Sequence, residues 1–272
     1  MISQDFAQDT RLQRTLKLNQ KLLVAYQMPE FPCKDSTIPL LFSLENSGVS
    51  IIELGMPHSD PLADGPIIQE AAQLAIQNGV NLPLIFSLLK EARMKGLNVP
   101  VILMGYINPV VQYGLVRFFK DAKESGADGF IFPDIPPEES EQILELCKEH
   151  SLSLTFLISP VSSNNRISKI DSLSTDFSYC LTVNAVTGSN KLSGTKEGEI
   201  KDYLGRVKEN SKKKFVAGFG ISNRNDLELI FKYADGAVIG SAYLRALKNA
   251  TSSNSAVEIA ESFFKSLKGL VP

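Results

Sequence analysis

Tryptophan is absent from this chain of 272 residues, histidine occurs twice and cysteine three times. Cys33, Cys147 and Cys180 are odd in number and widely spaced, so they form neither a disulfide framework nor a metal knot, and free thiols fit a reducing cytoplasm. No His/Cys/Asp cluster has metal-ligand spacing, so no metal is expected. No sign of charge dominates: 28 basic against 30 acidic residues give a net charge of -2, without the basic footprint of a nucleic-acid surface. No apolar run is long enough to cross a membrane, and Met1–Asp5 lacks the apolar segment of a secretory signal. What the chain does have is 43% hydrophobic residues, enough for one substantial core.

Short apolar runs alternate with longer amphipathic ones. Eight strands are expected, at Lys21–Tyr26, Ser50–Leu54, Val99–Met104, Gly129–Phe132, Leu152–Ile158, Phe177–Thr182, Lys214–Ala217 and Gly236–Ile239. Apolar residues three or four apart predict helices between them: Thr37–Asn46, Ile67–Asn78 with Leu84–Lys95, Leu115–Glu124, Glu139–His150, Arg166–Leu173, Ile200–Glu209, Asn225–Tyr233 and Ala256–Leu267. Turn residues, among them Asn108-Pro109 and Pro136-Pro137, mark the junctions. Strands alternating with helices imply a parallel sheet, and eight such units in this length match a closed (β/α)8 barrel, the TIM barrel. No linker or charge block divides the chain, so residues 1–272 read as a single domain, with 1–18 a helix that closes the barrel bottom or a frayed segment.

Polar residues cluster where such a barrel builds its active site. Glu53, Tyr106, Asn108, Asp134, Ser159, Thr182, Gly218, Gly220, Gly240 and Ser241 all fall at or just past the C-terminal end of an expected strand. Glu53 stands out, because a carboxylate within the apolar run Ile51-Ile52 is costly unless it is paired or has a task. Asp60 and Asp64 follow in a loop stiffened by Pro57, Pro61 and Pro66. One acid on a strand and another on the adjacent loop suit proton transfer at two ends of one substrate. Gly218-Phe219-Gly220 and Gly240-Ser241 end the last two strands, and Thr187-Gly188 follows the sixth. Glycine turns let backbone N–H groups approach an anion, which makes these three segments a candidate phosphate cradle.

Six segments carry a family resemblance: Glu53–Pro66, Tyr106–Pro109, Pro133–Glu139, Val186–Gly188, Gly218–Ser222 and Ala234–Ser241. In content and order they resemble the tryptophan synthase alpha chain. The resemblance implies a lyase that splits indole-3-glycerol phosphate into indole and glyceraldehyde 3-phosphate by retro-aldol cleavage. It implies Glu53 and Asp64 as the catalytic carboxylates, with Tyr26 and Tyr106 at the indolyl ring. Thr187, Gly188, Gly218, Gly220, Gly240 and Ser241 would bind the phosphate end. It also implies a beta chain as partner in an alpha2-beta2 heterotetramer, met through Asp60 and Pro61, while Asn108 and Asp134 brace loops or face that partner. Pyridoxal phosphate is expected in that partner and no cofactor in this chain. A weakened subunit serving mainly as activator of the beta chain, and a stand-alone lyase releasing indole, are the alternatives.

The chain departs from the family pattern at several places. Gln27–Pro32 replaces a glycine turn after the first strand, and Ala185 replaces a glycine in the loop that closes over substrate. His58 fills a position usually held by an aromatic ring. Gly105 stands beside Tyr106 where a larger residue is common, which predicts a roomier pocket.

Overall fold

The computed structural model describes residues 9–18, 20–61, 64–181, 197–218 and 220–267. Its strands are β1 (Leu22–Gln27), β2 (Ile51–Gly55), β3 (Val101–Met104), β4 (Gly129–Ile131), β5 (Ser153–Leu154), β6 (Leu157–Ile158), β7 (Phe177–Leu181), β8 (Lys214–Gly218) and β9 (Gly236–Ile239). The helices are α1 (Arg11–Lys17), α2 (Thr37–Asn46), α3 (Pro66–Gln77), α4 (Leu82–Met94), α5 (Ile107–Tyr113), α6 (Leu115–Ser125), α7 (Glu141–Glu149), α8 (Asn164–Leu173), α9 (Glu197–Asn210), α10 (Arg224–Tyr233), α11 (Ser241–Leu247) and α12 (Ser253–Leu267). Strands such as Leu22-Leu23-Val24-Ala25 are apolar at every position because both their faces are covered. Several helices start on side-chain caps: Asn81 Oδ1 accepts from the Leu84 N–H at 3.0 Å, and Asn223 does the same for Asp226.

All strand pairs are parallel, in the order β5-β4-β3-β2-β1-β9-β8-β7-β6. The two ends of that order are consecutive in the chain, separated only by Thr155-Phe156. The Thr155 N–H donates to Phe130 O at 3.0 Å, and Phe156 O accepts from the Tyr179 N–H at 3.2 Å, so this segment joins β4 to β7 and closes the cylinder. The expected single strand Leu152–Ile158 is therefore two short ones. Its first half pairs with one neighbour and its second half with the other, and the ladder breaks where it changes sides.

Two cores result. The larger lies between sheet and helices. The smaller fills the barrel with inward-facing side chains, among them Val24, Ile51, Ile102, Ile131, Phe177, Val216 and Val238. Leu12 and Leu16 of α1 belong to that inner cluster, so α1 stops the lower end of the barrel. Arg11 and Arg93 there hold the buried Asp128, with N···O distances of 2.7 and 2.9 Å, and the Val101 N–H adds a third bond at 2.8 Å. Asn108-Pro109, expected as a turn, lies in the first turn of α5, where the missing proline N–H costs no helix bond.

Candidate functional site

Period-two alternation aims Tyr26, Glu53, Tyr179 and Gly218 into the upper barrel, two residues beyond core positions Val24, Ile51, Phe177 and Val216. Glu53 is 1% exposed and its Oε1 is buried without a hydrogen-bond partner. Burial alone pushes its carboxyl up from the ordinary value to about 8. Asp64 is half-buried at the start of the loop into α3. Its backbone is fixed from both sides, the N–H donating to Pro61 O at 3.1 Å and the carbonyl accepting from Gln69 Nε2 at 2.9 Å. Burial pushes the Asp64 carboxyl up to about 6, against the opposing bond from Tyr106 Oη, which donates to Asp64 Oδ2 at 3.3 Å.

Two further phenols tie the carboxylates to the glycine turns. The pKa of the buried Tyr26 is raised by burial first, then by the charges of Asp64 and Glu53. Tyr179 is raised by burial, then by Glu53, with Tyr26 and Asp64 contributing. The Tyr179 hydroxyl lies 2.6 Å from where a β-carbon on Gly218 would stand, and Tyr26 Cβ lies 3.3 Å from the same point on Gly240. A side chain at Gly218 would displace the Tyr179 ring. Sequence reasoning missed Tyr179; its signal was a phenol in the inward register of β7, two residues after Phe177.

Of the residues singled out from sequence, Glu53, Asp64, Tyr26 and Tyr106 thus gather at one mouth, flanked by Gly218 and Gly240. Gly220 is exposed with φ +61°, a conformation suited to glycine, and Ser241 is the first residue of α11. Thr187 and Gly188, with Thr182 and Ala185, lie outside the described residues. Asp60, Asn108 and Asp134 are exposed on the rim and Pro61 is half-buried. Asp134 accepts from the Ile107 N–H at 3.1 and 3.2 Å, bracing the start of α5. His58 packs beside Tyr106 with ring centroids 5.3 Å apart, and its Nδ1 accepts from the Asp60 N–H at 3.1 Å. The imidazole does fill an aromatic slot.

Two departures from the family pattern acquire a structural account. In the first loop, Gln27 Nε2 donates to Met28 O at 2.7 Å and to Phe31 O at 3.0 Å. Glu30, at φ +52°, accepts from the Thr37 hydroxyl at 2.5 Å and from the Asp35 N–H, while its carbonyl accepts from Asn78 Nδ2 at 2.8 Å. Side-chain bonds therefore hold a turn that lacks glycine. Gly105 does not enlarge the pocket, contrary to expectation. A β-carbon there would meet Met56 O and Met56 Cβ at 2.8 Å, so the missing side chain lets the end of β2 approach closely.

The described residues contain no group of three or more His, Cys, Asp or Glu side chains placed to hold a metal. Nor is any single described helix long and apolar enough to cross a membrane.

The chain is similar to known proteins over nearly its whole length. Residues 12–271 match the family model of the tryptophan synthase alpha chain. The alpha chain of Prosthecochloris aestuarii is 49% identical over 263 residues, covering 95% of this chain and 98% of that one. The crystal structure of the alpha subunit from Legionella pneumophila superposes with a TM-score of 0.87 at 29% identity, covering 96% of this chain and 97% of that one. A chain of the a2b2 complex from Pyrococcus furiosus superposes with a TM-score of 0.82 at 31% identity, covering 92% and 99%.

Proposed function

The chain belongs to the tryptophan synthase alpha-chain family, and from that premise we propose that it cleaves indole-3-glycerol phosphate to indole and glyceraldehyde 3-phosphate, in tryptophan biosynthesis. The observation that carries the reading is the pair of carboxyls at one mouth with different proton affinities, Glu53 at about 8 and Asp64 at about 6. At neutral pH the first holds its proton and the second has lost it, the division of labour that acid–base catalysis needs.

The bond to break joins indole C3 to the first carbon of the glycerol chain. Glu53 delivers its proton to C3, which turns the ring into an indolenine with positive charge developing on nitrogen. Asp64 accepts from the ring N–H and stabilises that charge. The C3–C bond then breaks, and its electron pair returns to the ring. The hydroxyl on the departing carbon loses its proton to the Glu53 carboxylate as the aldehyde forms. One proton goes onto carbon and one comes off oxygen, so Glu53 finishes as it began. Tyr26 and Tyr106 flank the ring. Gly218, Gly220, Gly240 and Ser241 hold the phosphate, joined by Thr187 and Gly188 of the loop after β7.

The proposal includes a beta chain as partner, in keeping with the a2b2 assembly named for the Pyrococcus relative. The exposed Asp60, Asn108 and Asp134, with Pro61, form the contact rim. Pyridoxal phosphate belongs to that partner and no cofactor to this chain, and the cytoplasm is its compartment. The test is indole release from indole-3-glycerol phosphate, with and without added beta chain. Cleavage that survives Glu53→Gln at near-normal rate would overturn the assignment.

A further inference from the structure

The cavity between Tyr26, Asp64 and Tyr106 encloses about 10 Å³, room for one water molecule. A bicyclic aromatic ring needs many times that space, so side chains must move to admit it. Part of the wall cannot swing. Pro57, Pro133, Gly105 and Ala72 have no rotatable side chain, and Tyr106 is held by Asp64 and by the His58 ring. Beside Tyr26, His58 and Asp64, the rest of the lining is three methionines from the ends of successive strands, Met28, Met56 and Met104. Met28 Cε lies 3.0 Å from where a β-carbon on Gly55 would stand, and Met56 Cε lies 3.2 Å from that point on Gly105. Methionine is unbranched, turns about its side-chain bonds at little cost, and its sulfur makes favourable contacts at the edges of aromatic rings.

We propose that Met28, Met56 and Met104 determine which indolyl substrates this site accepts. Their thioether arms rotate aside to admit the ring, and the same freedom accommodates substituents on its benzo edge. The inference rests on the reading of this cavity as the indolyl site. The sequence holds five methionines, of which Met94 is 75% exposed, so it serves as an internal control.

The experiment has two arms on the full chain. In the first, methyl-13C-methionine protein is titrated with a non-cleavable indolyl propyl phosphate, with signals assigned from single Met→Leu variants. The signals of Met28, Met56 and Met104 are expected to shift while that of Met94 stays fixed. Saturable binding that leaves those three unmoved would overturn the proposal while sparing the site reading. Absence of any binding would overturn both.

The second arm compares kcat/KM for indole-3-glycerol phosphate with that for its 5-methyl and 6-methyl derivatives. The unmodified chain is expected to accept the derivatives within about tenfold. A chain carrying Met28→Leu, Met56→Leu and Met104→Leu, similar in volume but stiffer, is expected to raise the discrimination at least another tenfold. Rejection of the derivatives by more than a hundredfold in the unmodified chain, or an unchanged ratio in the triple variant, would overturn the proposal. The labelled-methyl arm needs no folded triple variant and decides the matter if that variant fails.

Discussion

The two ends of the barrel treat the same chemical group in opposite ways. At the floor, Asp128 is buried, and burial pushes its carboxyl up, but Arg93, Arg11 and the Val101 N–H all oppose that push with bonds of 2.7 to 2.9 Å. At the mouth, Glu53 is buried as deeply, and its Oε1 has no hydrogen-bond partner. A buried carboxyl with three donors is held in place by them and joins the helix layer to the sheet. A buried carboxyl without them keeps its proton, and that proton can be given away. Stability is invested at one end, and at the other, on the proposed reading of Glu53, it is given up for reactivity.

The contrast can be broken by exchanging its terms. Asp128→Ala leaves the Arg93 guanidinium buried without its anion, which is expected to cost about 3–5 kcal/mol in denaturant unfolding. The folded fraction should keep its kcat for indole release. Glu53→Gln is expected to do the reverse, lowering kcat by roughly 10²–10⁴. Its effect on stability has a definite sign. Folding raises the Glu53 pKa from 4.5 to about 8, so between those values the folded chain binds the extra proton and stability falls as pH rises. The variant should therefore match the parent near pH 4 and exceed it by up to about 5 kcal/mol above pH 8. If Glu53→Gln proves less stable at pH 8, the carboxyl has a partner after all.

A pH profile sharpens the comparison further. With Asp64 at about 6 and Glu53 at about 8, kcat/KM should be bell-shaped with limbs near those values. Tyr106→Phe removes the bond that opposes the rise of Asp64, so the acid limb should move to higher pH while the basic limb stays. The smallest effect is expected from Arg11→Ala. Its side chain is 27% exposed and Arg93 still holds Asp128, so the loss should be about 1 kcal/mol once screening by water is allowed for.

Much of this was legible in the sequence because apolar runs and glycine turns are local signals. The alternation of strands and helices was read directly, and Glu53 was conspicuous as an acid inside Ile51-Ile52. What escaped depends on closure. Leu152–Ile158 is apolar throughout, and nothing local says that its two halves pair with different neighbours. The first turn of α5 escaped because Asn108-Pro109 marks a turn and an early helix position equally well. Nothing local singles out Tyr179 or the methionines. Only the curled sheet brings a phenol from β7 beside Gly218 of β8, or sets three strand ends around one small cavity.

The floor has one further consequence. The inner cluster that takes in Leu12 and Leu16 draws on β1, β2, β3, β4, β7, β8 and β9, residues 22 to 238, and Arg11 finds its anion 117 positions away. Synthesised before the strands it rests on, α1 thus has nowhere to dock until β9 is in place. It is a cork made before its bottle, and its docking marks the moment at which the cylinder is complete.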